Sequence, residues 1–223
     1  MICLDQVDST QDVARARLES SDRPVLVVAD RQVGGRGRQG RVWVEPDRGM
    51  FSSLAFAPDW EPDTWPLLPL CVGVAVRRAV VAFTREALEL KWPNDLRLPH
   101  GKAGGVLVES SDGVVTAGCG LNLFWEERPD FASALFDMDP GPQMAQDLAA
   151  AWVVEMLALV KAGADSWPEA EYRDACVTLG AHVEWDGGSG TAVDLGSTGA
   201  LIVETTDGRT EIASGDVHLR SHR

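Results

Sequence analysis

The chain has 223 residues, 45% of them hydrophobic and 24% charged, and a formal charge of −14 from 20 basic and 34 acidic side chains. That length suits one domain, or one large and one small, with a substantial core. The acidic balance disfavours a general nucleic-acid binder but leaves room for a local cationic pocket. No run of 18 apolar residues suggests a membrane span and no basic-then-apolar opening suggests a secretion signal.

In chain order, ICLDQV (2–7) reads as a short strand. Ser9, with Asp12 three residues on, reads as a capping box opening a helix over VARARL. PVLVVAD (24–30) and MFSSLAF (50–56) read as strands, separated by a glycine- and arginine-rich loop. Prolines 58, 62, 66 and 69 predict a loop, and LPLCVGVAVRRAVVAF (68–83) a largely buried helix. ALELKW, GGVLVES and VVTAGCGLNL predict three further strands. An acidic loop at 126–143 precedes the apolar helix DLAAAWVVEMLALVKAG and the helix WPEAEYRDACVTLG. From Ala181 onward short alternating strands, broken by Asp-Gly and Gly-Ser-Thr-Gly turns, predict a small β-barrel of about five strands. Cysteines 3, 71, 119 and 176 show no CxxC pair and no metal-ligand spacing. That pattern fits a reducing compartment and a soluble, cytoplasmic protein without disulfides or zinc.

GGRGRQGRVW (34–43) is the densest signal. Gly35, Gly37 and Gly40 formally satisfy G-x-G-x-x-G after a strand, but nothing helical follows, so the dinucleotide reading fails. What remains is Arg36, Arg38 and Arg41, plus Arg31, on a flexible loop suited to phosphate or carboxylate. Such crowding predicts a loop that is mobile when empty and ordered by an anion; a solvated turn or an RNA contact are the alternatives. The turn Trp92-Pro93-Asn94-Asp95 brings Lys91, Asn94 and Asp95 together. Lysine is used only three times, at 91, 102 and 161. Lys102 opens an apolar strand, where it is either an inward cation needing an anionic partner or an edge-strand residue that discourages strand pairing. In GCGLN (118–122) the glycines mark close approach of a ligand or backbone, and Cys119 reads as a packed residue with no cation to activate it.

Taken together, DST (8–10), ADRQVGGRGRQGRVW (29–43), KWPNDL (91–96), GKAGGVLVE (101–109), GCGLN (118–122) and the tail motifs YRDACVTLG and SGDVHLR resemble the biotin protein ligases over nearly the whole chain. The resemblance implies an α+β domain at 1–176, with a mixed sheet and helices like a class II aminoacyl-tRNA synthetase, and an SH3-like β-barrel at 177–223. It also implies the short form of the family, without an N-terminal DNA-binding domain.

The implied reaction has two steps. Biotin reacts with ATP to give biotinyl-5′-AMP, and a lysine of a biotin carboxyl carrier protein from a biotin-dependent carboxylase then takes the biotin. By the same resemblance Ser9, Thr10, Gln11, Gln32, Gly35, Arg36, Gly37, Arg38 and Lys102 contact biotin, with Lys102 and Arg38 catalytic. Arg38, Arg41, Trp43, Lys91, Asn94, Asp95 and Asn122 lie on the ATP side. Mg²⁺ accompanies the phosphates with no protein ligands assigned, no tightly bound prosthetic group is implied, no DNA or membrane is a partner, and the chain is a monomer or homodimer. The chain departs from the family pattern at Gln11, Glu45–Gly49, Ala103–Gly104 and Cys119. A lipoate or octanoate ligase of the same fold, a non-catalytic biotin or adenylate binder, and a nucleic-acid binder are the rival readings.

Overall fold

The computed structural model describes residues 1–40 and 43–220. The first part of the chain runs β1 (Ile2–Val7), α1 (Thr10–Leu18), β2 (Val25–Gln32), β3 (Arg48–Phe56), α2 (Leu68–Phe83), β4 (Glu89–Lys91), β5 (Asp95–Leu98), β6 (Gly101–Ser111), β7 (Val114–Phe124), α3 (Pro142–Ala162) and α4 (Glu169–Ala175). Its seven strands form one mixed sheet, in the order β1-β2-β3-β7-β6-β5-β4, in which β1 and β2 are parallel and the other neighbours antiparallel. A second sheet holds β8 (His182–Trp185), β9 (Gly188–Leu195), β10 (Leu201–Thr205), β11 (Gly208–Ile212) and β12 (His218–Leu219), in the antiparallel order β11-β10-β9-β8-β12. This is the α+β architecture expected, a mixed sheet with helices followed by a small β unit.

Period-two alternation decides what covers each face of the large sheet. Val27 and Ala55 point to one face, where they pack with Ala14 of α1. Leu26, Val28, Leu54 and Phe56 point to the other, into a core shared with Leu70, Val74, Trp152 and Met156 of α2 and α3. Strand β3 is therefore buried on both sides, and its apolar run lacks the alternation of a half-exposed strand. The stretches Pro62–Phe83 and Pro142–Ala162 are long and apolar enough to cross a bilayer, although neither is the uninterrupted apolar run sought in the sequence. Here they form the helical layer on the sheet.

Four local expectations change. The proline-rich segment is not all loop: Pro62–Leu67 forms a 3-10 turn leading into α2, whose second residue is Pro69, a position where the missing N–H is not needed. Helix α3 begins at Pro142, before the segment read as apolar. Helix α4 stops at Ala175, because Cys176 and Val177 pair with Leu90 at the sheet edge. Strand β5 was not foreseen; four residues between Pro93 and Pro99 are too few to show a pattern.

The two sheets share one continuous core. Trp92, 2% exposed, joins them: its backbone N–H donates to Thr178 Oγ1 at 2.8 Å and its Nε1 to Gly199 O at 2.9 Å. Gly199 has φ +81° and faces Leu67 and Leu70 so closely that a Cβ would lie 2.7 Å from Leu70 Cδ1. Trp92→Phe keeps an aromatic ring but leaves a buried carbonyl unpaired, so urea denaturation should show a loss of about 1–3 kcal/mol. An unchanged midpoint would mean that the indole bond does not hold the sheets together.

Candidate active site

Strands β2, β3, β6 and β7 and the start of α1 surround a cleft on the α1 face of the large sheet. Ser9 holds the N-cap position of α1, with φ −148° and ψ 124°, but its side chain does not cap the helix. Instead its hydroxyl accepts a hydrogen bond from Arg36 Nη2 at 3.3 Å, and the same guanidinium nitrogen lies 2.6 Å from Asp12 Oδ1. The expected capping box is thus corrected: Ser9 and Asp12 hold the arginine loop, because a charge-assisted bond outweighs a neutral cap. Beside them, Thr10 N and Oγ1 donate to Gln32 Oε1 at 2.9 and 3.0 Å, and Thr10 Oγ1 lies 2.7 Å from Ser53 Oγ. With the Gln32 carbonyl occupied, its Nε2 is left as the donor end, near Gly35. Gln11 donates from Nε2 to Glu109 Oε2 at 3.0 Å.

The other end of the cleft is cationic. Arg38 Nη1 reaches Asn94 Oδ1 at 3.4 Å, and Asn94 is pinned to β6 by bonds of 2.9 Å in both directions with the Val106 backbone. Lys102 Nζ lies 2.5 Å from Asp95 Oδ1, while Lys91 Nζ takes Asp95 Oδ2 at 3.2 Å. Burial alone would raise the Asp95 pKa; the ammonium groups of Lys102 and Lys91 outweigh it and hold the carboxyl below its usual 3.8. The Trp43 ring lies over Gly105 and Gly120, where an added Cβ would stand 3.4 and 3.3 Å from it. Lys102 Nζ is 5.7 Å from the ring centroid, within cation–π range. Those two glycines let the indole rest on the sheet.

The edge-strand reading of Lys102 is excluded. Its strand lies between β5 and β7, and Lys102 itself pairs with Arg97 on one side and Ala132 on the other.

Of the residues singled out from the sequence, Ser9, Thr10, Gln11, Gln32, Arg36, Gly37, Arg38, Trp43, Asn94, Asp95 and Lys102 line this one cleft. Gly35 stands behind Gln32 and Trp43. Lys91 is not in the lining but on the far oxygen of Asp95. Asn122 also lies off it, buried and donating to the carbonyls of Lys102 and Ser133 at 3.2 and 3.0 Å. Arg41 falls outside the described residues. The lining further includes Ser53, Val106 and Leu107, which carry no role in the sequence reading, and Gly118, one of the glycines expected to mark a close approach. Ser53 had left a signal, a hydroxyl inside the apolar strand MFSSLAF. Cys119 is wholly buried and its thiol is pushed far up by that burial, which makes it packing material, not a nucleophile.

The arrangement suits a ligand with a neutral hydrogen-bonding head and an anionic tail. Among the described residues no group of three or more His, Cys, Asp or Glu is placed to hold a metal, and Asp95 is already engaged by two lysines.

Residues 3–124 match the biotin/lipoate A/B protein ligase family and residues 188–220 the biotin protein ligase C-terminal domain. The chain belongs to the biotin/lipoate A/B protein ligase family. Its sequence is 31% identical to a biotin–[acetyl-CoA-carboxylase] ligase of Mycobacterium tuberculosis, over 93% of this chain and 84% of that protein. It is 29% identical to a bifunctional ligase/repressor of Bacillus spizizenii, over 98% and 74%. The fold matches that of biotin protein ligase from Aquifex aeolicus in complex with biotin and ATP, with a TM-score of 0.80, 29% identity and coverage of 99% and 98%.

The Thr10 hydroxyl is the hinge of the neutral end. Thr10→Val preserves shape and keeps the backbone N–H bond to Gln32, but removes the hydroxyl's bonds to Gln32 and Ser53, leaving the buried Ser53 hydroxyl without that partner. A loss of about 1–3 kcal/mol in urea unfolding is expected; a variant as stable as the parent would show that the network carries no stability.

Proposed function

We propose that this chain is an ATP-dependent biotin protein ligase that activates biotin as biotinyl-5′-AMP and passes it to a lysine of a biotin carboxyl carrier protein in the cytoplasm. The observation that carries this reading is the polarity of the cleft. Thr10, Gln32 and Ser53 form a neutral hydrogen-bonding end, and Arg38 and Lys102 form a cationic end in the same lining. Biotin has the matching polarity, a cyclic urea at one end and a carboxylate at the other. Membership of the family and the resemblance to relatives that are biotin ligases support the same reading. We further propose that the catalytic domain spans 1–176 and the SH3-like domain 177–223.

In the first step a carboxylate oxygen of biotin attacks the α-phosphorus of ATP, and the bond from that phosphorus to the bridging oxygen breaks, releasing pyrophosphate. Two anions must approach while charge accumulates at phosphorus. Lys102 and Arg38 supply positive charge beside that point, the electrostatic stabilisation on which a transfer of this kind depends. In the second step the carrier lysine's amine attacks the acyl carbon, AMP leaves with the bonding pair, and the amine's proton goes to solvent. Mg²⁺ enters as part of the MgATP substrate, held by phosphate and water. Ser9 and Asp12, by holding Arg36, keep the loop bearing Arg38 against the cleft.

Mass spectrometry of a carrier domain incubated with this protein, biotin and MgATP should show one added biotinyl group; lipoate in its place should add nothing. An unmodified carrier, or modification by lipoate alone, would overturn the assignment. In biotin-dependent ATP–pyrophosphate exchange, Lys102→Ala should be slower by about 10²–10³-fold, the scale for one preorganised electrostatic contact. Lys102→Arg should be impaired less, since it keeps the charge but replaces a compact ammonium with a planar fork. Activity of the alanine variant within a few-fold of the parent would remove Lys102 from the chemistry.

A further inference from the structure

Lys91 is assigned to the nucleotide by resemblance alone, and the structure gives it a defined partner within the protein. Its ammonium is on Asp95 Oδ2, whereas Lys102 occupies Oδ1. The side chains of Lys91 and Asp95 are 15% and 20% exposed and that of Lys102 is 38% exposed. The triad is therefore graded, from a covered lysine through a covered carboxylate to a lysine open to the cleft. Lys91 and Asp95 face each other as a register pair across β4 and β5, and Asp95 pairs with Gly105 across β5 and β6. This fixes their backbones in a way that a loop contact to a nucleotide would not need.

We infer that Lys91 is a positioning residue, which acts on Lys102 through the shared carboxylate of Asp95 and does not bind ATP. The reason is electrostatic. Lys102 must leave part of its interaction with Asp95 to engage a substrate carboxylate and phosphate. When it does, Asp95 would be a covered carboxylate with no cation, a costly state. Lys91 on the second oxygen keeps it neutralised throughout. Asp95 can then remain an anchor that orients the ammonium of Lys102 without becoming a trap for a proton. The charged groups acting on Asp95 are Lys102 from β6 and Lys91 from β4, with Arg38 reaching the adjacent Asn94 from the loop.

The inference rests on the ligase reading for its kinetic test and not for its spectroscopic one. In exchange assays at saturating biotin, Lys91→Met should lower kcat by about tenfold, the low end of what is lost when a group that orients a functional residue is removed. Its KM for ATP should stay within about twofold of the parent's, because the whole deficit is in kcat. The acid limb of its pH profile should move to higher pH, because Asp95 loses one of the two cations that keep it ionised. Lys91→Arg, which keeps the charge, should restore kcat and the acid limb and leave KM where it is.

In the ligand-free protein, the ¹³C carboxyl signal of Asp95 should titrate at higher pH in Lys91→Met than in the parent. That measurement needs no turnover. If the parent shows no biotin-dependent exchange the ligase reading fails, while the Asp95 titration still decides on Lys91. A tenfold or greater rise in KM for ATP at unchanged kcat, in either variant, would make Lys91 a nucleotide contact and overturn the inference. So would an Asp95 titration that Lys91→Met leaves in place. If Lys91→Met does not fold, Lys91→Arg alone decides, by whether its KM for ATP stays with the parent's.

Discussion

Positive charge held in a fixed place is the constraint on which the rest of this structure depends. The chain carries 14 more acidic than basic side chains, yet it gathers arginines and lysines around one cleft. Of the described cations there, Arg36 is paired with Asp12, while Lys102 and Lys91 share the single carboxylate of Asp95 and keep a net positive charge between them. The exposed pair contributes little to stability. On Asp95 the carboxylate and Lys91 are covered while Lys102 is open to the cleft, where a second anion can compete for its ammonium. The acidic excess of the protein is thus compatible with a cluster of cations in one cleft, because carboxylate partners stand at short range.

The scaffold that holds those charges is a sheet with both faces covered. One face carries α2 and α3 and most of the core, and the other carries α1 and the cleft. Because side chains alternate along a strand, β3 sends Leu54 and Phe56 into the core and Ser53 to the cleft. On β6 and β7 the cleft-facing positions include Gly105, Gly118 and Gly120, which leave room for the Trp43 ring and the Gln11 carboxamide to lie against the backbone. The second sheet is tied to this scaffold through Trp92, one residue after Lys91. The segment from Lys91 to Asp95 therefore serves two ends at once: its indole anchors the second sheet and its carboxylate orients the lysine of the first.

Much of this was legible in the sequence. The strands PVLVVAD and MFSSLAF, the buried helix at 68–83 and the change of texture at Ala181 follow from apolar periodicity and turn residues, which act over a few neighbours. The arginine loop, KWPND and Lys102 stood out because their residue types are costly unless something compensates them. Where compensation comes from distant parts of the chain, the sequence was silent. Ser9 and Asp12 match a helix cap locally, but Arg36, 24 residues beyond Asp12, takes both side chains. Strand β5 exists because β4 and β6 flank it, and Lys102 is interior because Ala132 closes its open side.

The sequence by itself determined the kinds of element, the family motifs and the presence of a group of arginines and lysines in glycine- and turn-rich segments, since these depend on composition and short-range pattern. Only the tertiary structure decided which charge meets which. Asp95 could have faced a nucleotide or a lysine with the same four neighbours in the chain. Strand pairing placed one lysine on each of its oxygens, and an ion pair's energy depends on distances in space that no local pattern encodes.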